Sequence, residues 1–260
     1  MVPPTVEDDL VFADGEAEED FVIVDDLDFT DESELRRVVG EVEAIAGNPH
    51  GRGLRVSVLT AEQWKTVVAR VLPPAMRRAQ AHLYLHTLRD PNDQQHLLVS
   101  PSAVQAINEG QASMYEDVIY AALRCLPSDL APLLRRGIDD LIAREIGERI
   151  NVQLYTRHHP RERRLASHLL AALYSHFGYT ELEWALQLRR QPKRCLLALR
   201  HTPFAPYWEK RSEKPFKELL ETLSARKLNF EMPLLAEAEE LLERYVEEEV
   251  AGKAKEGGDG

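Results

Sequence analysis

The stretch MYEDVIYAALRCLPSDLAPLLRRGIDDLIAREIG, from Met114 to Gly147, organises the rest of the chain. Its apolar residues recur at helical spacing on both sides of Leu126-Pro127, so it predicts two consecutive helices joined by a turn. Polar and charged side chains interrupt the apolar pattern on both helices: Glu116, Asp117, Tyr120, Arg136, Asp139 and Asp140. They predict either a polar cluster between the two helices or an ordinary solvated helix face.

The elements around this stretch predict an α+β protein that is mostly α. Leu54 to Leu59 alternates as a half-buried strand does, and residues 81–99 predict a β-hairpin around Asp90-Pro91-Asn92-Asp93. Thr60 can cap a helix from Ala61 to Val71, and Asp31 or Ser33 can cap one from Glu34. We expect an α+β part over 34–150 with a small sheet, a helical part packed on it over 151–250, and disordered tails at 1–33 and 251–260.

Charge is distributed unevenly along the chain. The formal net charge is −12, but residues 1–35 hold 14 Asp and Glu and no Lys or Arg, so the remainder is nearly neutral. The acidic segment has too few apolar residues to fold alone. Within it, four β-forming residues stand between acidic flanks: Phe21, Val22, Ile23 and Val24. Such a peptide can add a strand to the sheet edge of a partner, dock on the chain's own basic segment, or belong to a solubilising tail whose apolar residues pack on the parent domain.

Residues 157–217 are basic, with 13 Lys and Arg against 5 Glu. They predict a surface that contacts phosphates, docks the acidic segment or is merely solvated. The residues of this basic patch are Arg157, Arg161, Arg163, Arg164, Arg189, Arg190, Lys193 and Arg194. Because no nucleic-acid motif is present, nucleic acid is the weaker interpretation.

Other residue types exclude several classes of protein. No apolar run of about 18 residues and no signal-peptide pattern occurs, so we expect a cytoplasmic protein without a membrane partner. Cys125 and Cys195 are expected to be small buried hydrophobic residues. The histidines lack the spacing of a metal site, although a site built from atypical ligands stays open: His82, His86, His158, His159, His168 and His176. Richness in Ala, Leu and Arg favours a bacterial source.

The order of predicted elements and the 114–147 stretch resemble a gluzincin, a zincin-fold metallopeptidase. In that family His-Glu-x-x-His supplies two zinc ligands and a general base, and a Glu before a Gly on the next helix supplies the third ligand. Aligning Gly137 with that glycine places Glu116 and Tyr120 at the histidines, Asp117 at the base and Arg136 at the third ligand. The resemblance covers about residues 35–190 and implies a zincin-like body with a degenerate motif.

These substitutions argue against zinc hydrolysis. Tyr120 is a poor zinc ligand, and Arg136 would place a permanent cation where the metal belongs. Arg136 is instead expected to pair with Glu116 or Asp117. The resemblance therefore implies a protein without metal or other cofactor, in which a protein partner binds the cleft and the acidic peptide. An atypical metal-dependent hydrolase and a nucleic-acid-binding protein are the alternatives, and an unrelated α-rich domain also fits the pattern.

Overall fold

The computed structural model describes residues 32–47, 53–71, 85–89, 95–154, 159–225 and 227–250. Within these ranges, eleven α-helices and three strands form: α1 (Ser33–Ala46), β1 (Arg55–Val58), α2 (Ala61–Val71), β2 (Leu85–Arg89), β3 (Gln95–Val99), α3 (Pro101–Asn108), α4 (Ala112–Cys125), α5 (Pro132–Arg149), α6 (Pro160–Phe177), α7 (Glu181–Arg190), α8 (Pro192–Ala198), α9 (Phe204–Arg211), α10 (Phe216–Leu223) and α11 (Pro233–Tyr245). The predicted class, α+β and mostly α, is confirmed.

The three strands form one small sheet in the order β1-β3-β2. β1 runs parallel to β3, with Val56 opposite Leu97, and β2 runs antiparallel to β3, with Thr87 opposite Leu97. The predicted strand and hairpin are therefore confirmed, while the turn at 90–93 lies outside the described residues. Leu97 and Val99 are fully buried in the same core as the apolar face of α1.

Three helix ends have identifiable local causes. Thr60 accepts from the Gln63 backbone at 3.2 Å while the Gln63 side chain accepts from the Thr60 backbone at 2.8 Å, which makes a capping box at the predicted start of α2. Gly178 ends α6 with a φ of 73°, a left-handed conformation that glycine adopts readily. Pro160 begins α6, since proline is well suited to the first helical turn. Ser33 is not a cap, because it is the first helical residue of α1.

α5 lies at the centre of the helical core. Ile138, Ile142 and Ile146 are completely buried, as is the Leu165 face of α6. The two helices approach closely at Gly137, where a Cβ atom would overlap the carbonyl oxygen of Glu162. One hydrophobic core extends from α1 to α11. In the C-terminal part, Phe204, Trp208 and Phe216 pack in edge-to-face contacts.

Candidate functional site

The facing sides of α4 and α5 enclose a polar centre. Glu116 and Tyr120 lie one turn apart on α4, so they share a face. The Tyr120 hydroxyl donates to Oδ1 of Asp140, a residue of α5 that has no solvent exposure. Arg163 of α6 places Nη1 3.6 Å from the other Asp140 oxygen. Three helices therefore contribute one side chain each to a buried Tyr–Asp–Arg cluster.

The electrostatics of this cluster keep Tyr120 protonated. Burial raises the pKa of Tyr120 far above its usual range, and the hydrogen bond to Asp140 and the charges of Asp140, Glu116 and Asp139 raise it further. A neutral phenol is a hydrogen-bond donor to a carboxylate. Tyr120 thus donates to one oxygen of the Asp140 carboxylate, while Arg163 places a positive charge near the other.

A second buried cluster joins α5 to α7 and closes the end of α4. Arg189 of α7 is 1% exposed and forms an ion pair with Asp139 through its Nη1. Its Nη2 donates to the carbonyl oxygens of Leu123 and Leu126, and Arg135 Nη2 donates to the same two oxygens at 3.1 Å each. The last carbonyls of a helix lack partners within that helix. The two arginines satisfy these carbonyls and also neutralise Asp139.

Burial shapes the ionisation of this second pair. Burial raises the pKa of Asp139, while the positive charges of Arg189 and Arg135 lower it in part. Burial also lowers the pKa of Arg189, while Asp139 acts in the opposite direction. An arginine starts from so high a pKa that it stays charged at neutral pH. The cluster is therefore a buried, multiply hydrogen-bonded ion pair.

The structure brings together three of the six polar residues predicted on the two helices. Glu116, Tyr120 and Asp140 meet between α4 and α5, with Glu116 only 4% exposed. Asp117 is exposed on the surface of α4. Arg136 forms an ion pair with Glu162 at 4.0 Å, a residue that the prediction did not consider. The interpretation of these residues as a solvated helix face is therefore correct for Asp117 and wrong for Glu116 and Asp140.

The sequence interpretation missed the structural role of Arg135, Asp139 and Arg189. Arg135 and Asp139 stand four residues apart on one helix, a spacing that favours an ion pair at 3.4 Å between them. Arg189 lies 50 residues beyond Asp139, and no local pattern connects the two. Arg189 was predicted as a phosphate contact, but its burial removes it from the exposed basic surface.

Other predicted basic residues are divided among separate acidic partners. Arg161 makes a bidentate contact with Glu239, with its closest N–O distance at 2.6 Å. Arg164 lines a small cavity that also contains acidic residues of α11. Arg190, Lys193 and Arg194 do share one pocket, of about 700 Å³, beside the start of α5. Arg157 lies outside the described residues.

No cluster of three or more His, Cys, Asp and Glu side chains suited to a metal occurs in the ranges that the structure describes. His159 lies 3.7 Å from the Glu162 carboxylate, while His168 and His176 lie on α6. His82, His158 and the His86 side chain lie outside the described part, as do Phe21 to Val24 and the tail 251–260. Of the helices described, none has both the length and the apolar character to cross a bilayer.

These contacts define a mostly helical α+β body in which arginine side chains form ion pairs with Asp139 and Asp140, the buried carboxylates of α5. No protein-family model, no curated protein and no solved structure matches this chain.

Proposed function

We propose that this protein is a non-catalytic protein-interaction module. Its body is a metallopeptidase-like domain of the gluzincin type whose catalytic motif has become structural. The acidic peptide Phe21 to Val24 provides one contact with a protein partner, and the folded body provides another. Two contacts on one tether raise the effective concentration of the second without requiring a tight single site.

The observation that carries this proposal is the pairing of the two buried carboxylates of α5 with side chains of the protein itself. Asp140 receives a hydrogen bond from Tyr120 and lies 3.6 Å from Arg163, and Asp139 is paired with Arg189. A carboxylate that binds a metal needs its oxygens turned toward an open position. Here three of the four oxygens of the buried pair face arginines, and Oδ1 of Asp140 faces the Tyr120 hydroxyl, which favours a structural role over a catalytic one.

The nucleic-acid alternative has less support. Steady binding to phosphates needs several free cations on one face. Of the eight predicted basic residues, Arg161 and Arg163 are engaged by Glu239 and Asp140, and Arg189 is buried. Of the other described residues, Arg164 lies beside acidic residues of α11, and Arg190, Lys193 and Arg194 form only a small group.

Elemental mass spectrometry tests the loss of catalysis. The protein is purified without a histidine tag and without chelator, and its zinc, manganese and iron contents are measured. We expect much less than one metal per chain, and no change in thermal stability when zinc or a chelator is added. Stoichiometric zinc together with peptide hydrolysis would overturn the proposal in favour of an atypical hydrolase.

Partner capture tests the interaction. The full chain is compared with V22D/I23D and with L10D/V11D, a control that adds the same two negative charges to another apolar group of the acidic segment. We expect a specific protein that binds the unchanged chain and the control, and binds V22D/I23D at least about tenfold more weakly, as loss of one of two linked contacts implies. Equal binding by all three chains would remove the peptide from the proposed interface.

A further inference from the structure

A groove of about 550 Å³ separates α1 from β1, the strand at one edge of the sheet. Its helix wall contains Leu35 and Val39, and its strand wall contains Leu54, Val56 and Val58. The three strand residues pack only partly against the core. The groove therefore combines apolar side chains with a strand edge, which are the two features that a strand-adding peptide uses.

The direction of the β1 backbone groups follows from one hydrogen bond. The Leu59 N–H donates to the Val99 carbonyl at 2.9 Å, so Leu59 faces β3. Successive residues of a strand direct their backbone groups to opposite sides, and Val56 and Val58 therefore turn theirs away from β3. The Leu54 N–H, on the same outer side, donates to the Glu43 carboxylate of α1.

In the described part of the chain, β3 is the only strand that pairs with β1. Each of Val56 and Val58 thus presents one donor and one acceptor toward the groove. An open strand edge of this kind is a template for another strand, and folded proteins generally cover it. The edge has room to pair with a segment of three or four residues.

We infer that the occupant of this groove is the chain's own segment Phe21 to Val24, added to β1 as a fourth strand. These are four consecutive β-formers, and their alternation would place Phe21 and Ile23 on one face and Val22 and Val24 on the other. Leu35 and Val39 of the helix wall are only 2% and 9% exposed, so either pair would mainly cover the half-buried strand residues Leu54, Val56 and Val58.

The tether between the segment and the groove has a suitable length. Val24 and Glu32 are eight residues apart, a span of at most about 28 Å, and Glu32 itself lines the groove. The α1 wall from Glu32 to Glu43 rises about 16 Å, so the tether reaches either end. A tether this short holds the segment at an effective concentration on the order of millimolar.

This contact does not depend on the proposed function. If the same segment also binds a partner, the two contacts exclude each other, because one strand cannot pair with two edges through the same groups. Docking in the groove would then hold the segment back until a competing edge displaces it.

Hydrogen exchange of the purified full chain tests the inference, with no partner present. The amides of Val56 and Val58 are compared in the unchanged protein, in V22D/I23D and in the control L10D/V11D. We expect these amides to exchange about tenfold or more slowly in the unchanged protein and in the control than in V22D/I23D. Because both variants alter only residues before α1, the fold of the body stays intact.

A substitution on the groove side completes the test. V56P removes an outward N–H and leaves the groups that face β3, a change that edge strands tolerate. It should speed exchange at alternate amides of the segment 21–24, those that pair with β1, while exchange in β3 stays slow. Equal exchange rates of the Val56 and Val58 amides in the unchanged protein, V22D/I23D and L10D/V11D would overturn the inference. So would protection that vanishes on dilution, since it would place the segment in the groove of a second copy.

Discussion

Replacement of Gly137 by alanine tests the close approach of α5 and α6. A Cβ on this residue would overlap the Glu162 carbonyl oxygen and stand 2.6 Å from its carbonyl carbon and 2.9 Å from the Cβ of Ala166. Comfortable carbon–carbon contacts are about 3.5–4.0 Å, so the helices must separate by about 1 Å. The opposing atoms belong to the backbone of α6 and cannot rotate away.

The expected size of the effect is the difference of two terms. Overpacking in a core costs about 1–3 kcal/mol, and more where backbone must move. Alanine in a helix interior recovers up to about 1 kcal/mol relative to glycine. We therefore expect G137A to lower the free energy of unfolding by about 2 kcal/mol or more, measured by urea denaturation followed by circular dichroism.

Gly40 supplies a matched control in the middle of α1. A Cβ at Gly40 has nothing within 4 Å, so G40A meets no steric cost. We expect G40A to raise the free energy of unfolding by about 0.5–1 kcal/mol through helix propensity alone. Opposite signs for the same chemical change would establish the contact. A G137A protein as stable as the unchanged chain would refute the reasoning.

Three further predictions concern buried and paired side chains. R189M should lower the free energy of unfolding by about 3–5 kcal/mol, because it leaves the Asp139 carboxylate buried without its closest cation. In a double-mutant cycle, D139N/R189M should lose less free energy of unfolding than the two single variants lose in sum. Hydrogen bonds from Arg37 and then Tyr115 lower the pKa of Glu34 to about 2 from 4.5. Stability from Glu34 is therefore complete above about pH 5 and is lost as the pH falls toward 2. The E34Q protein should show a shallower acid decline in denaturation experiments, by about 1 kcal/mol after allowance for solvent screening. Burial raises the pKa of Cys125 to about 12 and that of Cys195 to about 11, so both thiols should react with a thiol reagent at neutral pH only after unfolding; rapid labelling of the native protein would contradict this.

Most of the secondary structure is visible in local patterns. The apolar spacing in α1 and α4, the alternation in β1 and the Thr60 cap each act over a few residues, and the structure reproduces them. The first turn of α6 is harder to predict, because it begins at a proline and its residues 161–164 are all charged. A dense run of charge resembles a loop when its burial partners lie elsewhere in the chain.

The candidate site was only partly predictable for the same reason. The spacing of Glu116 and Tyr120 on one helix face is local, and so is their position opposite the next helix. The choice of Arg163 as the cation near Asp140, and not Arg136, depends on how α6 crosses α5. That crossing is fixed by Gly137 meeting the α6 backbone, a contact between residues 25 positions apart.

The sequence by itself determined that this is a mostly helical protein with a small sheet, an acidic N-terminal segment and a helix pair carrying polar residues at its centre. These properties follow from periodicity and composition, which act between near neighbours. Only the tertiary structure decided that Arg189 is buried against Asp139, that Asp117 is exposed and that the outer edge of β1 faces a groove. Those outcomes depend on which distant elements pack together, because burial and pairing are properties of the packed chain and not of any one segment.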